Sequence, residues 1–202
     1  MTVDGNPVAL DPARDSLINV NALGMPMPSA RFMGGRDYKV MRGQGAAPSE
    51  NDVRIVLDEP FLLLPSGQPL TDPFQGHRFG WTPTEPAVTD PKPNVVLVFY
   101  LALMTAECLA MTGADGTVIV EGRFARHPQY PNMLAAATGL AVIAAATQTG
   151  TAIGAALLFT DDGAVCLAQN TATVLACDTN LVRYAKDWRA AVQRHVNPAP
   201  IV

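Results

Sequence analysis

The longest uncharged apolar run in this chain, Val95–Ala106, constrains its fold more than any other segment. The run falls short of the roughly 18 apolar residues that a membrane-spanning helix needs, and it is longer than most strands, which have about 3–10 residues. Pro93 stands before it and Gly113 after it, where proline and glycine are favoured at the start and end of a helix. The sequence therefore predicts a buried helix over Asn94–Thr112, around which the other elements pack.

Composition and charge narrow the classes of function. The chain has 202 residues, of which 49% are hydrophobic, so it can bury a core as a single domain. Its net charge of −4 argues against a nucleic-acid partner, which requires a basic surface. No basic segment leads into an apolar one at the N-terminus, as it would in a signal peptide. We therefore expect a cytoplasmic protein that binds neither nucleic acid nor a membrane.

Cysteine and histidine do not show the spacing of a metal site. The three cysteines lack the Cys-x-x-Cys pattern and the three histidines are far apart in sequence: Cys108, Cys166, Cys177, His77, His127 and His195. We therefore expect reduced core thiols and no metal site at these residues.

The chain divides at Pro91–Pro93 into two parts of different character. Residues 1–92 hold most of the prolines and predict a β-hairpin or meander, followed by a short helix near Glu50–Leu57 with Ser49 as its cap. An irregular surface loop is expected over Pro65–Pro91. The short apolar patterns of this part are Leu17–Val20, Met25–Phe32, Phe61–Leu64 and Arg78–Trp81.

Residues 93–160 alternate between helical and strand patterns, which is typical of parallel βαβ units. After the long helix, the predicted elements are a strand (Thr117–Glu121), a helix (Pro128–Thr138), a strand (Ala141–Ala146) and a helix (Thr151–Phe159). Residues 161–202 begin with a turn and continue into an amphipathic helix, Thr179–His195, capped by Asp178. The recurring apolar residues of this helix are predicted core contacts: Leu181, Tyr184, Ala185, Trp188 and Val192.

The connection from strand to helix at Val118–Ala125 is the first candidate for a ligand site, because ligands of open α/β sheets bind at the carboxyl ends of strands. Spacing alone favours a plain glycine turn that binds nothing. The functional interpretation is a loop facing a phosphate or nucleotide, with Arg123 and Arg126 supplying positive charge. Pro128 and Pro131 lack the N–H groups that bind phosphate at a helix start. The loop therefore suits close contact with a flat ligand better than it suits cradling a phosphate.

Three further features have simpler structural interpretations. The small residues of Gly150–Ala156 favour tight helix–sheet packing, with close approach of Gly154 to a ligand near Gly122 as the alternative. The Asp161–Asp162 pair precedes a glycine and predicts a solvated turn rather than a paired-carboxylate site. Glu107 carries the only charge on its predicted helix, and we expect a structural partner such as an arginine rather than a catalytic role.

Several segments, taken in order, resemble the C-terminal domain of FGGY-type carbohydrate kinases, and rhamnulokinase- and fuculokinase-like members in particular. The resemblance covers most of residues 8–195. The segments are Asp11–Asp15, Asn19–Gly24, Ala30–Arg36, Leu103–Glu107, Gly113–Gly116, Val118–Ala125, Met133–Gly139 and Gly150–Leu157.

The resemblance implies an α/β fold, one lobe of the actin-like ATPase (ribonuclease H-like) superfold, with a mixed sheet and helices on both of its faces. Residues 1–202 are then a single C-terminal nucleotide-binding lobe of a carbohydrate kinase. Within it, residues 1–92 form a β-rich part with a loop insertion, residues 93–160 the βαβ nucleotide part, and residues 161–202 the C-terminal turn and helix.

The same resemblance implies an activity, the transfer of the ATP γ-phosphoryl group to a sugar hydroxyl, with Mg²⁺ neutralising charge. The family's N-terminal lobe, which holds the sugar site and the catalytic aspartate, has no counterpart in this sequence. The resemblance therefore implies that the chain binds ATP or ADP and meets its sugar only through that lobe. Alone, the chain is expected to be inactive, with no catalytic residue and no metal ligand.

Val118–Ala125 corresponds to the family's adenosine motif, in which a glycine-rich turn packs against the nucleotide. Gly122 matches the first glycine of the motif, whereas Arg123 stands where many members have a second glycine. By this correspondence the cofactor-binding residues are Gly122, Arg123, Phe124, Ala125 and, from the small-residue helix that follows, Gly154.

Two other functions are compatible with the sequence. One is a non-catalytic remnant lobe that acts as a module for homodimerisation or for binding a partner chain. The other is an unrelated dinucleotide-binding module, which is disfavoured because the Gly-x-Gly-x-x-Gly motif is missing.

Overall fold

The long apolar helix lies at the centre of the fold. The computed structural model describes residues 9–21, 24–42, 48–65, 71–87, 89–145 and 178–196. This helix spans Lys92–Met111 and is buried on all sides, with Val96, Phe99, Leu101 and Met104 inaccessible or nearly so. Elements from both parts of the chain pack against it. The predicted buried helix is confirmed, and it is called α3 because two α-helices precede it among the described residues.

In the part of the chain that the structure describes, α3 is also the one helix long and apolar enough to span a membrane. That observation is weak by itself, because the core helix of a globular protein has the same length and composition. Most of α3 is covered by other elements of the fold, and its apolar residues on every side are typical of a core helix.

The N-terminal part contains the predicted hairpin. Strands β1 (Ser16–Val20) and β2 (Pro26–Ala30) are antiparallel over their whole length. The predicted helix follows as α2 (Glu50–Asp58), and Ser49 caps it as expected. The Ser49 side chain accepts from the Asp52 N–H at 3.2 Å, and the Asp52 carboxylate accepts from the Ser49 N–H at 2.7 Å. This reciprocal pair satisfies two backbone donors at the helix start.

Two features of this part differ from the prediction. A short strand, β4 (Gly80–Thr82), interrupts the expected loop Pro65–Pro91 and pairs antiparallel with β3 (Leu62–Leu64). A helix that the patterns did not predict, α1, spans Gly34–Met41. Its two leading glycines are poor helix formers, but it packs against α3 and buries Asp37, so tertiary contact overrides propensity.

The βαβ unit is confirmed. Strands β5 (Val118–Val120) and β6 (Val142–Ala144) are parallel, and helix α4 (Gln129–Thr138) connects them and packs closely along α3. Gly139 ends α4 in the left-handed conformation, with φ of 71°. The predicted helix Thr151–Phe159 lies outside the described residues, as do the small-residue patch 150–156 and the turn at residues 161–163.

The last helix joins the two parts of the chain. It is α5 (Thr179–Val196), and the Asp178 carboxylate accepts from the Asn180 N–H at 2.8 Å, as the predicted cap requires. The Trp188 indole N–H donates to the Leu63 carbonyl at 2.7 Å. The five predicted core contacts of this helix are all buried: Leu181, Tyr184, Ala185, Trp188 and Val192.

The predicted arginine partner of Glu107 also comes from α5. Arg189 Nε donates to Glu107 Oε1 at 2.8 Å, and another guanidinium nitrogen donates to the Ala137 carbonyl at 2.9 Å. Arg189 therefore ties together α3, α4 and α5. This contact supports a structural role for Glu107.

The α/β class is confirmed. Within the described residues, the strands form three separate two-stranded sheets, antiparallel for β1–β2 and β3–β4 and parallel for β5–β6. The core that unites them is helical, with α3 in contact with α1, α2, α4, β2 and β3.

Candidate functional site

The turn after β5 has a backbone conformation that favours glycine. Gly122 has φ of 85° and ψ of −159°, a combination that is open to glycine and costly for other residues. Among the described residues other than its two chain neighbours, no atom lies within 4 Å of the position that a Cβ at Gly122 would take. The glycine is therefore needed for the path of the chain rather than for packing. The side of the turn that a Cβ would occupy is left open.

A cleft lies between this turn and helix α1. Tyr38 of α1 faces the turn, with the Arg123 guanidinium carbon 5.0 Å from the centre of its ring. The ring of Phe124 meets Tyr38 edge to face, with centroids 5.6 Å apart. The cleft has a volume of about 310 Å³, at the low end for a small-molecule site. Its lining residues are Tyr38, Arg123, Phe124, Arg126 and His127.

A chain of aromatic and hydroxyl contacts holds the floor of the cleft. Phe124 stacks on Tyr130 of α4, with centroids 5.5 Å apart. The Tyr130 and Thr105 hydroxyl oxygens are 2.7 Å apart, and the Thr105 hydroxyl donates to the Leu101 carbonyl at 2.9 Å. Thr105 has a single proton to donate, so Tyr130 is the donor between the two. Burial raises the pKa of Tyr130 to about 12 and keeps it neutral, so the turn is anchored to α3.

The start of α4 offers few donors to a phosphate. Pro128 immediately precedes the helix and Pro131 is in its first turn, so both positions lack an N–H. The Tyr130 N–H already donates to the His127 carbonyl at 3.0 Å. Burial lowers the pKa of His127, and the side chain of Gln129, whose oxygen favours a protonated ring, offsets this in part. His127 is therefore neutral at pH 7, and the helix start supplies little positive potential.

The five cofactor residues predicted from the sequence occupy different places. Gly122 and Arg123 lie on the open side of the turn, and Phe124 is half-buried against the cleft. Ala125 is buried in the hydrophobic core. Gly154 lies outside the described residues. Their role in nucleotide binding stays a prediction.

Sequence reasoning missed the wall of the cleft that α1 provides. Tyr38 lines the cleft, and Arg42, the residue after α1, lies beside its ring. Both follow the Gly34–Arg36 segment, which was part of the family resemblance, but helix α1 was not predicted. Arg42 caps α1 with its backbone N–H, which donates to the Tyr38 carbonyl at 3.1 Å. A helix assignment at Gly34–Met41 would have placed Tyr38 and Arg42 one turn apart on one face.

The fold is that of a carbohydrate kinase of the actin-like ATPase class. The structure is similar to the crystal structure of a carbohydrate kinase from Novosphingobium aromaticivorans, with a TM-score of 0.76 and 29% sequence identity. The similarity covers 93% of this chain and 43% of that chain. The sequence also matches the family described as carbohydrate kinase FGGY, C-terminal domain, over residues 1–168. The chain belongs to this family.

This chain spans less than half the length of the solved kinase. No curated protein matches the sequence significantly. Within the residues that the structure describes, no group of three or more His, Cys, Asp or Glu side chains is arranged to hold a metal ion.

Proposed function

We propose that this chain is the ATP-binding lobe of a carbohydrate kinase, which transfers the ATP γ-phosphoryl group to a sugar hydroxyl. The observation that carries the proposal is the open cleft at the carboxyl end of β5, in a chain that belongs to the carbohydrate kinase family. Nucleotides bind at this end of parallel strands in α/β folds generally. Two residues that line the cleft, Arg123 and Phe124, belong to the segment that corresponds to the family's adenosine motif.

The residues of the cleft fit the adenosine end of a nucleotide. The open side of Gly122 lets a flat base approach the backbone, which a side chain there would prevent. Phe124 offers aromatic surface in the cleft, and an aromatic ring is a favourable neighbour for a base. The Phe124–Tyr130–Thr105 contacts hold the turn in place before the ligand arrives, which reduces the entropy lost on binding.

The chemistry of transfer needs groups that this lobe does not supply in its described residues. Mg²⁺ neutralises phosphate charge in such reactions, and one or two carboxylates together with the phosphates are enough to hold it. Following the resemblance to the family, we assign the sugar site, the proton-accepting carboxylate and the ligands of Mg²⁺ to the other half of the kinase. On this basis the lobe alone binds nucleotide and is inactive, and closure of the two halves completes the site.

ATP binding is tested by the melting temperature of the 202-residue chain. A ligand that binds only the folded state stabilises it by about 2.7 kcal/mol at a hundredfold excess over its Kd. Gly122→Val should abolish the ATP-induced shift. Gly116→Val is the matched control, because Gly116 also has positive φ (80°) and open space at its Cβ position but precedes β5, away from the cleft. No shift at millimolar ATP, or a shift that survives in Gly122→Val, would contradict the proposal.

Transfer itself is tested by complementation. The N-terminal half of a family kinase, added in trans, should restore ADP release with some member of a sugar panel. The chain alone should release no ADP with any sugar. Activity of the chain alone would place the catalytic groups within it and refute their assignment to the other half of the kinase.

The second candidate, a non-catalytic dimerisation or partner-binding module, is favoured by one observation. The β1–β2 hairpin exposes large apolar side chains, with Ile18 53%, Val20 63% and Met25 58% accessible. Contiguous apolar surface of this kind often marks a protein interface. Sedimentation velocity distinguishes the candidates: a stable dimer that does not bind ATP supports the module, whereas an ATP-binding monomer supports the kinase lobe.

A further inference from the structure

Two arginines from distant parts of the chain converge on one tyrosine. The guanidinium carbons of Arg42 and Arg123 lie 5.9 Å and 5.0 Å from the centre of the Tyr38 ring. Both arginines are exposed, and neither forms an ion pair with a carboxylate among the described residues. Arg42 directly follows α1, where its backbone N–H donates to the Tyr38 carbonyl, and Arg123 directly follows Gly122 in the turn after β5.

The surroundings strengthen the positive charge. Arg36 and Lys39 of α1 and Arg126 of the turn join Arg42 and Arg123, so five of the chain's 14 Lys and Arg residues lie on two facing segments. The chain as a whole carries a net charge of −4, so this concentration is local. Two acidic residues lie on the same segments. Glu121 is exposed, and Asp37 is buried and accepts a hydrogen bond from the Tyr100 hydroxyl at 3.4 Å.

Like charges that share an aromatic ring repel each other, and the face of the ring compensates only in part. A bound anion attracts both guanidinium groups and so offsets the repulsion between them. Guanidinium groups bind phosphate oxygens in a two-pronged geometry. A phosphate also needs such groups here, because the prolines at the start of α4 remove backbone donors that a helix terminus would otherwise offer. Side chains are thus left to supply the charge.

We propose that Arg42 and Arg123 form a clamp for the phosphate groups of the nucleotide, with Tyr38 as the spacer that holds them apart. The proposal rests on the proposed function. It gives Arg123 a role at the position where many family members have glycine: the side chain replaces donors that the prolines remove. It also assigns to the phosphate groups Arg42, which lies outside the adenosine motif and lines the pocket next to the cleft, on the other side of Tyr38 in the chain.

The test compares ligands with and without phosphate on the 202-residue chain, by calorimetric titration at low ionic strength. The ligands are ATP, ADP, adenosine and inorganic tripolyphosphate. Arg42→Gln and Arg123→Gln should each weaken ATP and tripolyphosphate binding roughly tenfold, as expected for a lost charge-assisted hydrogen bond, and leave adenosine binding unchanged. Arg123→Lys should retain part of the affinity. Arg54→Gln is the control, because Arg54 is exposed on α2 and donates to Asn51, away from the cleft.

The outcomes separate the clamp from the nucleotide site. Binding of tripolyphosphate that depends on both arginines supports the clamp even if adenosine fails to bind, in which case the nucleotide proposal fails alone. ATP and adenosine binding that neither substitution alters overturns the clamp and leaves the nucleotide site standing. Absence of tripolyphosphate binding to the unaltered chain also overturns the clamp. Equal weakening of ATP and adenosine would assign the arginines to the base and refute the inference as well.

Discussion

Replacing Gly122 with alanine isolates the energetic cost of the turn that begins the candidate site. At φ of 85° and ψ of −159°, a residue with a Cβ costs about 1–3 kcal/mol. We expect no steric cost beyond this, because in the part of the chain that the structure describes no atom outside the two neighbouring residues lies within 4 Å of the new methyl group. For a chain of about this size, each kcal/mol lowers the melting temperature by roughly 2–4 °C. The Gly122→Ala variant should therefore melt about 2–12 °C lower than the unaltered chain.

The assay is urea unfolding followed by circular dichroism, together with the melting temperature. Gly35→Ala is the matched control, because its Cβ position is equally open but its backbone is helical. Alanine there should stabilise the chain by about 0.5–1 kcal/mol. Wild-type stability of Gly122→Ala would refute the assignment of the turn conformation. An equal decrease in stability in Gly122→Ala and Gly35→Ala would show that the decrease is not caused by the positive φ of Gly122.

Three further predictions concern the core and its titratable groups. Met133→Ala should lower the free energy of unfolding, measured in urea, by about 2–5 kcal/mol, because Met133 is fully buried beside α3. A decrease of less than about 1 kcal/mol would contradict this packing. Burial lowers the pKa of His127 in the folded state, so the unfolded state binds its proton more readily and stability should fall as pH drops below about 6.5. His127→Gln should flatten that decline in a pH series of urea midpoints, and an unchanged slope would count against it. Burial raises the pKa of Cys108 to about 12, so peptide mapping should find it unmodified by iodoacetamide at pH 8 until the chain is unfolded; rapid modification of the native chain would exclude a buried thiol.

Local signals in the sequence were sufficient to predict several helices. The apolar run and its flanking Pro93 and Gly113 predicted α3, and Ser49 predicted the start of α2. These features depend on neighbours a few residues away, through capping groups and the repeat of apolar side chains. The amphipathic pattern of α5 likewise predicted which of its residues are buried, because one face of that helix is polar.

Tertiary contact decided the elements whose local signals are weak. Helix α1 begins with two glycines, and β4 has three residues within a segment rich in proline and polar residues, so neither carries a strong pattern of its own. Each exists because a partner covers it, α3 for α1 and β3 for β4. Short elements gain most of their stability from such packing, which a linear pattern does not encode.

For the candidate site too, some features follow from the sequence and others only from the tertiary structure. The sequence by itself determined the turn at Gly122 and the prolines that weaken the start of α4, because each is carried by residues adjacent in the chain. It also determined the family, through the order of several short segments along the chain. Only the tertiary structure brought Tyr38, with Arg42 beside its ring, to face Arg123. Their meeting depends on how α1 and the turn after β5 are both held against α3 and α4, and a contact between segments so far apart leaves no periodic signal in either one.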